Sequence, residues 1–114
     1  MNPIRYRVSI EFTKNKDMVF ISHLDMLRLF MRTFRKACLP LVFTQGFSPK
    51  PKLSFERALS LGVKSNKEKM AITLQDKIDL KKAKKELNSM LPKGIQIKRM
   101  NYCEKRKETR KKSN

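Results

Sequence analysis

The chain has little of what metal centres, disulfide frameworks and acid/base active sites are made of. It contains one histidine, His23, and two cysteines, Cys38 and Cys103, which lie far apart and show no CxxC spacing. Zinc sites and disulfide scaffolds need such residues in sets. The ten acidic residues are scattered, so no paired carboxylates for acid/base catalysis are indicated. The sequence therefore predicts no metal site, no cofactor and no catalytic residue of its own.

Long apolar runs are also missing. No uninterrupted apolar segment approaches the ~20 residues that a membrane-spanning helix needs. The N-terminal sequence MNPIRYRVSI has no apolar stretch that ends at a small-residue cleavage site, as a secretory signal would. We therefore expect no membrane contact and a cytoplasmic location.

Basic residues, by contrast, are abundant. Lys and Arg number 28 against 10 Asp and Glu, a formal net charge of +18. Residues 104–114 hold six basic and two acidic residues, which leaves 22 basic and 8 acidic residues, or +14, for residues 1–103. A charge of this size destabilises a compact chain by self-repulsion, and a polyanionic partner relieves it while releasing counterions. A lysine-rich genome is the alternative explanation, but it does not account for the shortage of acidic residues.

The length and the hydrophobic fraction of 39% suit one domain with one core. We assign residues 1–103 to a single basic domain. Residues 104–114 are charged and lack apolar periodicity, which predicts a basic disordered tail.

Periodic patterns predict the order strand, helix, strand, strand, helix, strand. Alternating or short apolar segments indicate strands at residues 4–12, 41–44, 70–74 and 95–100. Residues 53–63 fit either a strand or a helix. This order is typical of an α+β fold, the ferredoxin-like split βαβ (βαββαβ) sandwich, in which an antiparallel sheet carries both helices on one face. On the open face of that sheet we expect five polar side chains: Arg5, Arg7, Lys69, Gln96 and Lys98.

The first helix begins at a capping box of Ser22 and Asp25 and ends before Pro40. Helical spacing predicts an inner face formed by Leu27, Phe30, Met31, Phe34 and Cys38, the last as a small buried residue. The second helix starts at Asp79 and ends before Pro92 and Gly94, with Leu80, Ala83, Leu87 and Leu91 inward.

The outer side of the first helix is a candidate binding surface. Arg28, Arg32 and Arg35 are spaced i, i+4 and i+7, so their guanidinium groups follow one side of the helix, with Lys36 beside them. Planar guanidinium groups suit bidentate phosphate contacts. A solvated helix face is the alternative, but acidic partners are absent from the stripe apart from Asp25 at its start.

The segment from residue 45 to 52 is a second candidate. Gly46, Pro49 and Pro51 preclude regular structure there and stiffen the backbone. Four residues of the segment are candidate nucleic-acid contacts: Gln45, Phe47, Lys50 and Lys52. Phe47 either stacks on a base or folds back into the core, and the sequence leaves both open.

His23 falls on the first turn of a helix, where a structural role needs no chemistry. A hydrogen bond from its imidazole to a phosphate or base is the alternative. An enzymatic hypothesis centred on His23 and Asp25 has little other support in the sequence.

The segments FISHLDMLRLF from Phe20 and TQGFSPKPKLSF from Thr44, together with LSLG from Leu59, resemble a bacterial family of unknown function, the radical SAM-linked domain. The resemblance covers most of residues 4–101. It implies an RNA-binding accessory module that is fused to, or encoded beside, radical SAM proteins and sometimes ribonuclease-type enzymes. By resemblance, the family's signature positions are His23, Asp25, Arg28, Gln45, Gly46, Phe47, Pro49, Pro51 and Lys52.

The chain departs from this family in two ways. Lys50 stands where many relatives carry His, and the chain ends where relatives usually continue, which suggests a minimal or truncated member that lacks the function of the extra segment. The CxxxCxxC motif of radical SAM enzymes is absent from the sequence, so any iron–sulfur chemistry would belong to a partner.

We therefore expect an RNA-binding accessory domain that positions structured RNA, such as tRNA or rRNA, for a radical SAM or ribonuclease-type partner. The alternative is a protein-interaction adaptor for a radical SAM or ribosome-associated protein, without direct base recognition.

Overall fold

The computed structural model describes residues 5–57 and 61–103. In chain order the elements are β1 (Tyr6–Lys14), a 3₁₀ helix (Lys16–Phe20), α1 (His23–Lys36), β2 (Leu53–Phe55), β3 (Ser65–Leu74), α2 (Leu80–Met90) and β4 (Ile97–Tyr102). The predicted order of strands and helices is confirmed. The predicted tail, residues 104–114, lies outside the described residues.

The four strands form one antiparallel sheet in the order β2-β3-β1-β4. In the central strand β1, Val8 lies opposite Ile72 of β3 on one side and Tyr102 of β4 on the other. The neighbours β1 and β3 are not consecutive in the chain, because α1 and β2 come between them. This is the predicted α+β split-βαβ arrangement of a ferredoxin-like fold.

One face of the sheet carries both helices. Val8, Ile10 and Phe12 of β1 are fully buried, as the strict alternation of this strand requires. They form one cluster with side chains from both helices, namely Met26, Phe30, Phe34, Ala83 and Leu87. Burial stabilises the fold by about 1.5–3 kcal/mol for each large apolar side chain. The hydrophobic core thus lies on the helix side, and the opposite face of the sheet stays open.

Both helices begin at the predicted caps. The Ser22 hydroxyl accepts a hydrogen bond from the Asp25 amide at 3.1 Å, and the Asp79 carboxylate accepts from the amides of Lys81 and Lys82. These bonds satisfy amides that have no partner inside the helix.

The edge strand does not lie where the sequence predicted it. Residues 41–44 make only isolated bridges, and the regular strand β2 comes later, at Leu53–Phe55. Both segments nevertheless run along β3, because Leu41 lies opposite Leu74 and Leu53 lies opposite Ile72. The chain between them leaves the sheet, and proline at position 51 cannot donate a ladder hydrogen bond there.

The inner face of α1 is also rotated from the prediction. Phe30 and Phe34 are buried as expected, but Leu27 and Met31 are only half-buried, while Met26 and Thr33 are buried instead. Cys38, predicted to be buried, is exposed. It lies beyond the end of α1 in a left-handed backbone conformation with φ 59°, so it no longer follows the helical spacing.

Gly94, in the turn between α2 and β4, allows the chain to pass close to the 3₁₀ helix. Its φ is +99°, and its carbonyl accepts a hydrogen bond from the Asn15 amide at 2.9 Å. A Cβ at this position would collide with the Asn15 carbonyl oxygen and with the Met18 side chain. Only glycine fits this turn without a shift of its neighbours.

We predict that Gly94→Ala lowers the free energy of unfolding by about 1–3 kcal/mol, since the added methyl combines backbone strain with a steric clash. Urea denaturation measures this change. The matched control is Gly62→Ala, where φ is +81° but no atom lies within 4 Å of the added Cβ. Equal losses in the two variants would show that the clash at Gly94 contributes nothing.

Candidate nucleic-acid interface

The chain that leaves the sheet forms a hairpin, which we define as residues 42–52. Thr44 closes it, because its amide donates to the Lys50 carbonyl at 2.7 Å and its hydroxyl accepts from the Lys50 amide at 3.1 Å. The Lys52 amide donates to the Val42 carbonyl at 2.7 Å. The hairpin is therefore held by hydrogen bonds across its base, although it lies outside the sheet.

The tip of the hairpin presents Phe47 to solvent. Gly46 has φ +126°, a conformation that favours glycine, and the Phe47 side chain beside it is fully exposed. Of the two alternatives from the sequence, folding of Phe47 into the core does not occur. Stacking of Phe47 on a base stays a prediction.

One side of α1 faces the hairpin. Arg28 and Arg35 are two turns apart on this side, and Leu24, Leu27 and Met31 lie between or beside them. The spacing of three or four residues brings these side chains onto one helix face. The same strip of α1 is therefore both cationic and apolar.

Between α1, the hairpin and the edge of the sheet lies an open cavity of about 770 Å³. Basic side chains reach it from three elements: Arg28 and Arg35 from α1, Lys50 and Lys52 from the hairpin, and Arg7 from β1. Among the described residues that line the cavity, every charged one is basic. A concave surface with one sign of charge concentrates ligands of the opposite charge.

The structure brings together only part of the predicted site. Four of the predicted contacts line the cavity, as do Pro49 and Pro51: the four are Arg28, Arg35, Lys50 and Lys52. Arg32 and Lys36 are exposed on α1 but do not line the cavity, and Gln45 and Phe47 lie farther out, at the tip of the hairpin. Their roles in binding stay predictions.

Sequence reasoning missed the apolar wall and part of the sheet edge. Leu24 was not considered, Leu27 and Met31 were placed in the core, and Thr44, Ser54, Ala71 and Thr73 were not singled out. The i, i+3, i+7 series of Leu24, Leu27 and Met31 was a usable signal for the apolar wall. No local pattern indicates that both ends of the hairpin pair with the same strand, β3.

His23 has a structural contact. Its ring lies edge-on to Phe55 of β2, with the ring centroids 5.0 Å apart, and Phe55 in turn approaches Phe12 and Phe30. The imidazole thus joins the start of α1 to the edge strand. It does not line the cavity.

In the described part of the chain, Asp25 forms the one ion pair with an arginine of α1. Its carboxylate lies 3.6 Å from the Arg28 guanidinium, and both side chains are more than half exposed. Exposed pairs of this kind are weak. Arg28 therefore stays accessible to another anion.

The open face of the sheet is less cationic than its sequence indicates. Arg7 and Lys69 are exposed as predicted, but Glu11 lies between Lys98 and Arg99, with N···O distances of 3.8 and 3.7 Å. Arg99 was not predicted on this face. Glu11 therefore neutralises part of the positive charge on this face.

The described residues hold neither a metal-binding cluster nor a membrane-spanning helix. Among residues 5–57 and 61–103, no group of three His, Cys, Asp or Glu side chains is placed to hold a metal ion. No helix within these ranges has the length and apolar character needed to cross a membrane.

Comparisons with known proteins point to a family rather than an activity. No curated protein and no solved structure matches the chain. One family model matches residues 5–113, almost the whole sequence, and its description is that of an uncharacterized protein conserved in bacteria. The chain therefore belongs to this bacterial family, DUF2344.

Proposed function

We propose that this chain is an RNA-binding accessory domain that positions a structured RNA, such as tRNA or rRNA, for a partner enzyme. The observation that carries the proposal is the cavity between α1 and the hairpin, where basic side chains from three elements converge and no acidic side chain of the described residues lines the wall. The arrangement suits a chain of phosphates, which needs several cations at successive positions.

The chemistry of the cavity wall supports this proposal. Arg28 and Arg35 present planar guanidinium groups, which suit bidentate phosphate contacts, while Lys50 and Lys52 act as mobile point charges. The net charge of +18 adds long-range attraction and favours the release of counterions when a nucleic acid binds.

The choice of RNA and of a partner rests on the resemblance to radical SAM-linked domains. In this proposal a radical SAM or ribonuclease-type enzyme carries out the chemistry, and this chain supplies affinity for the RNA. The fold alone does not decide between RNA and other polyanions, because ferredoxin-like domains serve many functions.

A protein-interaction adaptor is the second candidate, and an apolar surface favours it. Phe20, Leu61 and Val63 are 71%, 65% and 53% exposed. A hydrogen bond from the Gly62 amide to the Val19 carbonyl joins their two segments. None of the three lines the cavity. Each of the three residues lies next to one partner of this hydrogen bond, and exposed apolar side chains that form a contiguous patch mark protein contacts in many proteins.

We predict that Arg28→Gln combined with Arg35→Gln weakens binding to structured RNA by about tenfold or more and reduces the slope of log K against log salt by about one to two. Fluorescence anisotropy across a salt series measures both effects. The matched control is Lys81→Gln with Lys85→Gln, which removes the same charge from exposed positions on α2, outside the cavity.

Equal effects of the two double variants would show that binding depends on total charge and not on the cavity. Absence of salt-dependent binding to any RNA would refute the proposed function.

The adaptor hypothesis makes a different prediction for the apolar surface. If it is correct, Phe20→Ser abolishes recovery of a protein partner in a pulldown that is treated with nuclease and washed at high salt, and the Arg28/Arg35 variant leaves recovery unchanged. A partner that is lost upon nuclease treatment would contradict the adaptor hypothesis, since the RNA would then hold the complex together.

A further inference from the structure

We infer that the cavity binds unpaired nucleotides, with a base against the apolar wall of α1 and the adjoining phosphates on the basic side chains. This inference rests on the proposed function, because it names the form of RNA that the same site takes. It predicts discrimination between an unpaired strand or loop and a continuous duplex.

The apolar wall is the first observation. Leu24 is 50% exposed, and Leu27 and Met31 are half-buried although the rest of the helix face beside them packs into the core. All three line the cavity, on the same side of α1 as Arg28 and Arg35. Their apolar surface remains in water unless a ligand covers it.

Duplex and unpaired RNA present different chemical groups to the apolar wall of α1. A duplex presents phosphates and sugars on its outside and keeps its bases stacked, so the leucine and methionine side chains would meet charged groups. An unpaired nucleotide presents the flat face of its base together with a phosphate. It therefore matches a wall on which apolar and guanidinium groups are neighbours.

The opposite wall is suited to hold such a nucleotide with little loss of entropy. In the hairpin, Pro49 and Pro51 alternate with Lys50 and Lys52, and the hydrogen bonds of Thr44 to Lys50 fix the base of the loop. Proline restricts the backbone before any ligand binds. The lysine side chains then reach phosphates from a backbone that is already ordered.

The dimensions and the polar groups of the cavity agree with this assignment. Its volume of about 770 Å³ falls in the range of roughly 300–1,000 Å³ typical of sites that enclose a small ligand. Ser54 and Thr73 line its sheet side, and a hydroxyl group can both donate to and accept from a base edge. Ser54, Thr73 and Arg7 together extend the cavity wall toward the open face of the sheet.

The experiment compares three labelled RNAs at one salt concentration: a single strand of mixed sequence, the same strand annealed to its full complement, and an RNA stem-loop that joins that duplex to an unpaired loop. We expect the wild-type chain to bind the single strand and the loop about tenfold or more tightly than the duplex. Anisotropy titration measures the three affinities.

The variant that tests the apolar wall is Leu24→Ser combined with Met31→Gln. It should weaken binding of the single strand and the loop by about tenfold, in the range for loss of one stacked base, and leave duplex binding and the salt slope unchanged. Leu61→Ser is the matched control, since it removes an exposed leucine that does not line the cavity. Circular dichroism during thermal unfolding verifies that each variant is folded.

A second measurement uses the wild-type chain, so it does not depend on the folding of any variant. Ultraviolet crosslinking of the single strand, followed by mass spectrometry, should place crosslinks within residues 24–31. Crosslinks that fall only on α2 would overturn the inference.

The outcomes separate this inference from the proposed function. If the duplex binds as tightly as the single strand, or if the Leu24/Met31 variant weakens all three RNAs equally, the inference is wrong while RNA binding stands. If none of the three RNAs binds in a salt-dependent manner, both the inference and the proposed function are wrong.

Discussion

The candidate site depends on two backbone hydrogen bonds at Thr73 of β3. The Thr73 carbonyl accepts from the Val42 amide at 2.9 Å, and the Thr73 amide donates to the Lys52 carbonyl at 3.3 Å. One residue of the sheet therefore binds both ends of the hairpin. Because residues 42 and 52 both pair with Thr73, the residues between them have no free position along β3. They project from the sheet edge and do not extend the edge strand. The cavity is the space that this projection encloses with α1.

The distribution of charge follows from the same geometry. On the open sheet face, Glu11 approaches both Lys98 and Arg99, and beside β2 the Arg57 guanidinium lies 3.3 Å from the buried Glu68 carboxylate. These contacts occupy two of the few acidic side chains at places away from the cavity. Of the described basic residues that line the cavity, Arg28 alone has an acidic partner, Asp25, and that pair is exposed and weak. The positive potential of a strongly basic domain is therefore concentrated where its surface is concave.

Periodicity in the sequence predicted the fold well where the burial of a side chain depends only on which face of its strand it occupies. In β1 the strict alternation reflects a strand with one buried and one exposed face, and the structure places Val8, Ile10 and Phe12 in the core. The caps Ser22 and Asp79 were also predictable, since each hydrogen bond joins residues two or three positions apart. Local chemistry of this kind depends little on the rest of the chain.

The same reasoning failed in α1, where some apolar residues pack into the core and others line the cavity. Leu27 and Met31 have the spacing of core residues, but α1 directs them toward the hairpin, and its packing on the sheet uses Met26 and Thr33 instead. Periodicity records that a side chain is apolar and on a given helix face. It does not record what lies opposite that face, so a core residue and a ligand-contacting residue look alike.

The sequence by itself determined the charge, the order of the elements, the helix caps and the family, because composition, short-range hydrogen bonds and motif identity are properties of the chain. Only the tertiary structure decided which basic residues share a surface. It brought Arg28 and Arg35 to face Lys50 and Lys52 and left Arg32 and Lys36 outside the cavity. The physical reason is that pairing along β3 and packing of α1 on the sheet are long-range interactions, which set distances between segments that no local pattern encodes.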